Sequence, residues 1–120
     1  HRVLLDNKSK TEGSVKGISP MELLLMGLAG CSSIDVVAIL NKQKINPTSL
    51  KMEVSGKRPE NAVPALFHAI TVKVLLEGDF SAEKAKRAVA LSFDKYCSVS
   101  KTLEHTAKID YEIHLNGEKV

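Results

Sequence analysis

Apolar and polar positions follow two different rhythms along this chain. From Ser19 to Lys42 the run SPMELLLMGLAGCSSIDVVAILNK carries apolar residues on every side of a 3.6-residue period, with Asp35 the single charge between Leu23 and Leu40. That pattern predicts a long helix covered on most sides. Its start is marked by Ser19 as N-cap, Pro20 at the first helical position and Glu22 where a capping box places its carboxylate. Lys42 and Lys44 suit the negative end of the helix dipole. A bilayer span needs ~20 apolar residues, and the uncharged stretch from Leu23 to Ile34 falls short of it. Gly27 and Gly30 each cost about 1 kcal/mol against Ala in a helix, which predicts a close helix crossing or a dimer contact just before Cys31.

Outside this helix the period is mostly two. Leu50, Met52 and Val54 alternate with Lys51, Glu53 and Ser55, so a half-buried strand follows the Asn46-Pro47 turn. Lys57 to Pro64 reads as a loop. A second strand runs from Phe67 to Glu77, with His68, Ile70, Val72, Val74 and Leu76 on the expected core face. Ala107, Ile109, Tyr111, Ile113 and Leu115 define a terminal strand that Asn116-Gly117 ends. Between these strands Ser81 caps an amphipathic helix from Ala82 to Tyr96, whose Glu83, Lys84, Lys86 and Arg87 read as a solvated face. A short helical turn is expected to follow, with Ser98 as its cap. The opening HRVLL reads as the end of a strand whose beginning is cut off, and DNKSKTEGSVKG after it as a polar, flexible connection. The order predicts an α+β fold, with the helices packed on an antiparallel sheet and residues 1–120 forming one domain.

Composition narrows the function. Seventeen Lys and Arg against 14 Asp and Glu give a net charge of +3, spread without a basic block, and the chain has no Trp and only five Phe and Tyr. Nucleic-acid binding therefore gets no support. Nothing resembles a basic segment, apolar core and cleavage site of an export signal, so the expected compartment is the cytoplasm. Paired C-x-x-C or H-x-x-x-H zinc spacings are absent, and His68 reads as structural. Ser32, Ser33 and Ser98 have no His-acid pattern beside them.

The chemistry then rests on two cysteines. Cys31 lies in the apolar helix, where a free cysteine often acts only as a small hydrophobe. Cys97 stands before a helical turn with Lys95 and Lys101 nearby, a setting that makes a thiolate more available. Asp35, four residues after Cys31, shares its helical face.

SPMELLLMGLAGCSSIDVVAIL and LSFDKYCSVSKTL, in that order, resemble the two cysteine motifs of the OsmC/Ohr superfamily, in its OsmC-like branch; GKRPE and VLLEGDFSAEKAKRA extend the likeness over most of the chain. The resemblance implies an intertwined homodimer of long buried helices wrapped by curved sheets. It also implies a thiol peroxidase that reduces organic hydroperoxides and, less well, hydrogen peroxide. Cys31 would be peroxidatic and Cys97 resolving, with an external dithiol, a lipoyl group in related proteins, as reductant and no metal or prosthetic group. Relatives activate the thiolate with an N-terminal-region Arg held by a Glu directly after the helix-opening Pro. Here Met21 follows Pro20 and Glu22 comes one place later, turned by about 100°. Arg2 and Arg58, with Arg58 preferred, are the candidates for that guanidinium group. A disulfide-exchange or oxidant-sensing protein, and a noncatalytic small-ligand module, are the rival expectations.

Overall fold

A computed structural model describes residues 1–9 and 12–120. The expected long helix is α1, Pro20–Lys42. The Ser19 hydroxyl accepts from the Glu22 N–H at 3.2 Å, and the Glu22 carboxylate accepts from the Ser19 N–H at 3.0 Å, closing the capping box. At the far end the backbone turns at Lys44, φ 62°, and the Lys44 and Ile45 N–H groups donate to Asn41 and Leu40 at 2.9 and 3.0 Å. These bonds satisfy carbonyls that the helix leaves open.

The chain itself covers α1 on one side only. Leu28, Ser32, Val36 and Leu40, each one turn apart, are fully buried. Leu23, Leu24, Met26 and Ile34 remain exposed, Ile34 at 72%. The expectation of a helix enclosed on most sides is thus corrected for the single chain: what covers the other faces is not in this fold. A Cβ built on Gly27 or Gly30 would meet nothing within 4 Å, so no crossing among the described residues accounts for either glycine. By length and composition α1 would suffice to cross a membrane, against the expectation drawn from its uncharged stretch, and the core helix of a soluble protein passes the same test.

The sheet contains β1 (Ser49–Lys57), β2 (Ala69–Glu77), β3 (Lys108–Leu115) and β4 (Glu118–Lys119), in that spatial order. β1 and β2 are antiparallel, from Ser49 opposite Glu77 to Lys57 opposite Ala69. β2 and β3 are parallel, with Ala69 opposite Lys108, which corrects the fully antiparallel sheet expected from the strand order. The reason is the connection: a helical crossover between them returns the chain to the same end of the sheet. Asn116 and Gly117, with φ 52° and 85°, make a two-residue turn into β4, a short strand the alternation did not reveal.

Ile70, Val72, Val74 and Leu76 are buried, as the period of two requires. His68 is not on that face; it is exposed just before β2, and Phe67 is the buried residue. The Phe67 ring occupies the space that a side chain at Gly56 would need, so a glycine in β1 makes room for an aromatic ring at the strand start. The crossover is α2 (Ala82–Leu91), a single π-helical turn (Ser92–Tyr96) and α3 (Ser98–Leu103), where the sequence predicted one helix to Tyr96. Phe93 in the π turn stacks on Tyr111 of β3, with ring centroids 5.0 Å apart. At the amino end, Leu5 forms only an isolated parallel bridge with Ile18, not a strand.

Candidate functional site

The π turn sets the position of Cys97. One extra residue in the turn lets the Cys97 N–H donate to the Ser92 carbonyl at 2.7 Å, and the chain leaves helical geometry at Cys97 before α3 begins. Cys97, not Ser98, is the N-cap of α3. Its Sγ accepts from the Ser100 N–H at 3.4 Å.

This places Cys97 against the turn of α1 that carries Cys31 and Asp35. The Sγ atoms of Cys31 and Cys97 and a carboxylate oxygen of Asp35 lie within 4.8 Å of one another. Cys97 is fully buried, whereas Cys31 and Asp35 are half-buried at the rim of the packed stripe. Both cysteines are free thiols. Burial pushes the Cys97 thiol up to about 11 from an ordinary 9.0; the Ser100 N–H opposes this, while a hydrogen bond with Cys31 and the charges of Cys31 and Asp35 add to it. The helix-end donor that the sequence suggested is therefore real, but desolvation and like charge outweigh it.

Ser92 is the residue at this site that pattern reading missed. Fully buried, its hydroxyl lies 3.3 Å from the Ser32 carbonyl and 3.4 Å from Asp35 Oδ2. The available signal was a serine continuing the apolar stripe of Ala85, Ala88 and Val89. Ser32 and Ser33 return their hydroxyl hydrogens to the helix, donating to Leu28 and Ala29 carbonyls at 2.7 and 2.6 Å. Asp35 also borders a cavity of about 330 Å³ with Ile39, Lys42, Arg87, Leu91 and Tyr96. Arg87 thus contributes to a concave surface beside the thiols, where the sequence suggested only a solvated helix face.

The remaining expected residues lie at the opening of α1. Glu22 closes the capping box and pairs with Lys8 at 2.7 Å; the Lys8 hydrogen bond, followed by that from the Ser19 backbone, holds its carboxyl below the usual range. Arg58 is exposed and lines a cavity of about 520 Å³ with Asp6, Lys8, Ser19, Pro20 and Met21. Ten residues of helix separate Met21 from Cys31, about 15 Å along the axis. Arg2 is exposed in the amino-terminal segment. The fold brings together Cys31, Asp35 and Cys97, and it gathers Glu22 and Arg58 around the helix opening.

A pair of free thiols held between a long helix and a π turn, over a parallel-centred sheet, defines a dithiol protein of α+β architecture. Residues 11–112 match the family described as OsmC-like protein, and the chain belongs to that family. It is 39% identical over 116 residues to protein YhfA of Escherichia coli strain K12, covering 94% of this chain and 83% of that one. The crystal structure of an OsmC-like protein from Mycoplasma pneumoniae superposes with a TM-score of 0.81 at 24% identity, over 94% of this chain and 81% of the other. The organic hydroperoxide resistance protein OhrB of Bacillus subtilis shares the fold, with a TM-score of 0.63 at 21% identity over 82% of this chain and 72% of its own.

Proposed function

We propose that this protein is a cytoplasmic, homodimeric dithiol peroxidase that reduces organic hydroperoxides. The observation that carries the reading is the approach of two free sulfurs to within 4.8 Å, one half-exposed and one buried. Family membership supports it, as does the fold shared with the organic hydroperoxide resistance protein of Bacillus subtilis.

Exposure assigns the roles. A hydroperoxide reaches Cys31 first, because Cys97 has no open surface. The Cys31 thiolate attacks the distal oxygen, the O–O bond breaks, and the alcohol leaves after taking a proton; Cys31 becomes a sulfenic acid. Cys97 then attacks the Cys31 sulfur, its proton leaves with the hydroxide as water, and a disulfide forms. An external dithiol reduces that disulfide and becomes oxidised itself. The net change is hydroperoxide plus dithiol to alcohol, water and disulfide. Asp35 and Ser92 orient the pair, and no step draws on a metal or prosthetic group. The second copy of the chain covers Leu23, Leu24, Met26 and Ile34 and occupies the open space at Gly27 and Gly30. Arg2 and Arg58 are the two sequence-based candidates for activating a thiolate across that interface.

The test is one equivalent of cumene hydroperoxide added to reduced protein, followed by thiol counting and intact mass. Fast loss of both thiols, abolished in Cys31→Ser and stopped at a sulfenic acid in Cys97→Ser, is the expected result. Slow or absent thiol loss overturns the peroxidase reading. A thiol–disulfide exchange or oxidant-sensing role is then favoured, on the observation that Glu22 is already engaged by Ser19 and Lys8.

A further inference from the structure

The cluster Cys31, Asp35 and Cys97 contains two sulfurs and a carboxylate oxygen, all within 4.8 Å of one another. Tetrahedral zinc with Zn–S of about 2.3 Å and Zn–O of about 2.1 Å requires ligand atoms roughly 3.6–3.8 Å apart. Contraction by about 1 Å, within the reach of side-chain rotation, converts the observed triangle into one face of such a tetrahedron. We infer that the reduced protein binds one borderline-soft divalent cation, Zn²⁺ in type, through Cys31 Sγ, Cys97 Sγ and the Asp35 carboxylate.

The donor set selects this class of metal. Paired thiolates disfavour Mg²⁺ and Ca²⁺, which take oxygen, while one carboxylate with two thiolates suits zinc and its tetrahedral substitutes. Three protein donors leave the fourth position to solvent, which enters from the side where Cys31 and Asp35 are half-exposed. The surroundings also hold the ligands in place. Ser92 Oγ stands 3.4 Å from Asp35 Oδ2, and the Ser100 N–H donates to Cys97 Sγ at 3.4 Å, so two of the three ligands have a partner behind them. A carboxylate placed against two thiols repels their ionised forms, and a dication between the three turns that repulsion into attraction.

The consequence is regulation of the same dithiol. With both thiolates on the metal, neither is free to attack a peroxide. Once the ion dissociates, the two freed thiolates, one hydroperoxide and two protons give the disulfide, one alcohol and one water, and the disulfide no longer offers thiolates to the dication. The thiolates lose the two electrons that the O–O bond gains. This inference uses the site of the proposed redox reaction but does not depend on turnover.

Protein whose two thiols have first been counted as free is titrated with Zn²⁺ under argon against a chromophoric chelator, and separately with Co²⁺ while the near-ultraviolet spectrum is recorded. The expected result is one ion per chain and a thiolate-to-cobalt charge-transfer band. Asp35→Asn should weaken Zn²⁺ binding by about tenfold or more, and Cys31→Ser or Cys97→Ser should reduce the band. Asp94→Asn, an exposed acid on the π turn, should leave affinity unchanged. Absence of the cobalt band in the fully reduced wild type overturns the site without recourse to any variant. Equal affinity of wild type and Asp35→Asn overturns the three-donor arrangement. Hydroperoxide turnover without zinc binding counts against this inference alone, and zinc binding without turnover counts against the peroxidase alone.

Discussion

The opening turn of α1 and its middle turns solve opposite problems with the same kinds of side chain. At the opening, Ser19 and Glu22 satisfy each other's N–H groups and Lys8 neutralises the carboxylate, so Glu22 has an opposite charge and a donor beside it. In the middle, Cys97 is buried beside Cys31 and Asp35; burial first, and then the hydrogen bond with Cys31 and the charges of Cys31 and Asp35, push the Cys97 thiol up to about 11. A helix that needed only stability would not place Asp35 there. The first region is organised for folding, and the second stores unfavourable electrostatics where two sulfurs meet.

The largest effect expected from breaking this contrast comes from the packing that supports the middle turns. Leu28 is fully buried one turn before Ser32. Leu28→Ala should cost about 2–5 kcal/mol in chemical denaturation, by lost transfer energy and a residual cavity. The same loss in a protein already lacking both thiols would show that the cost is packing and not thiol chemistry.

Next in size is the pH dependence set by Cys97. Its folded pKa is raised to about 11 above an ordinary 9.0, so between those values the unfolded chain has released a proton that the folded chain retains. Stability therefore falls as pH rises through this window and is unaffected by this thiol well below 9. Comparing the melting temperature of reduced wild type with Cys97→Ala from pH 8 to 11 isolates the contribution, and the variant should fall less steeply. Asp35→Asn removes one of the charges that raises the thiol and should shift the thiolate absorbance titration of Cys97 downward, toward but not to 9.0, since burial remains the first cause.

The two regions also differ in how far the sequence revealed them. The opening turn was legible residue by residue, because Ser19, Pro20 and Glu22 act over three positions and local rules decide their partners. Strand faces were legible for the same reason: Ile70, Val72, Val74 and Leu76 keep a strict period of two. The middle site was legible only through its cysteines and the family resemblance. Asp35 shares a face with Cys31 by helical spacing, but the arrival of Cys97 and Ser92 depends on a π turn that inserts one residue into an otherwise regular helical pattern. The parallel pairing of β2 and β3 was hidden likewise, because alternation gives a strand's faces and says nothing of its direction. His68 was misplaced because the alternation of β2 was extended one residue beyond its true start at Ala69. In α1 the all-round apolar pattern was read as cover on most sides, whereas the chain fully buries only Leu28, Ser32, Val36 and Leu40.

The smallest effects belong to the opening turn, and they test whether the two regions are independent. Ser19→Ala removes the acceptor for the Glu22 N–H and should cost about 1 kcal/mol. Lys8→Ala removes a pair whose side chains are 57% and 40% exposed, and such pairs contribute little to stability because water and salt screen them. Neither substitution touches the sulfurs, which lie about 15 Å further along the helix. Both variants should therefore lose thiols to cumene hydroperoxide at the wild-type rate at a temperature where both are folded. A slowed rate in Lys8→Ala, with the melting temperature nearly unchanged, would mean that the Glu22 carboxylate acts on the thiol site and that cap and dithiol form one electrostatic unit. An unchanged rate assigns Glu22 to the helix start and leaves the reactivity of Cys31 to Asp35, Cys97 and whatever covers the open face of α1.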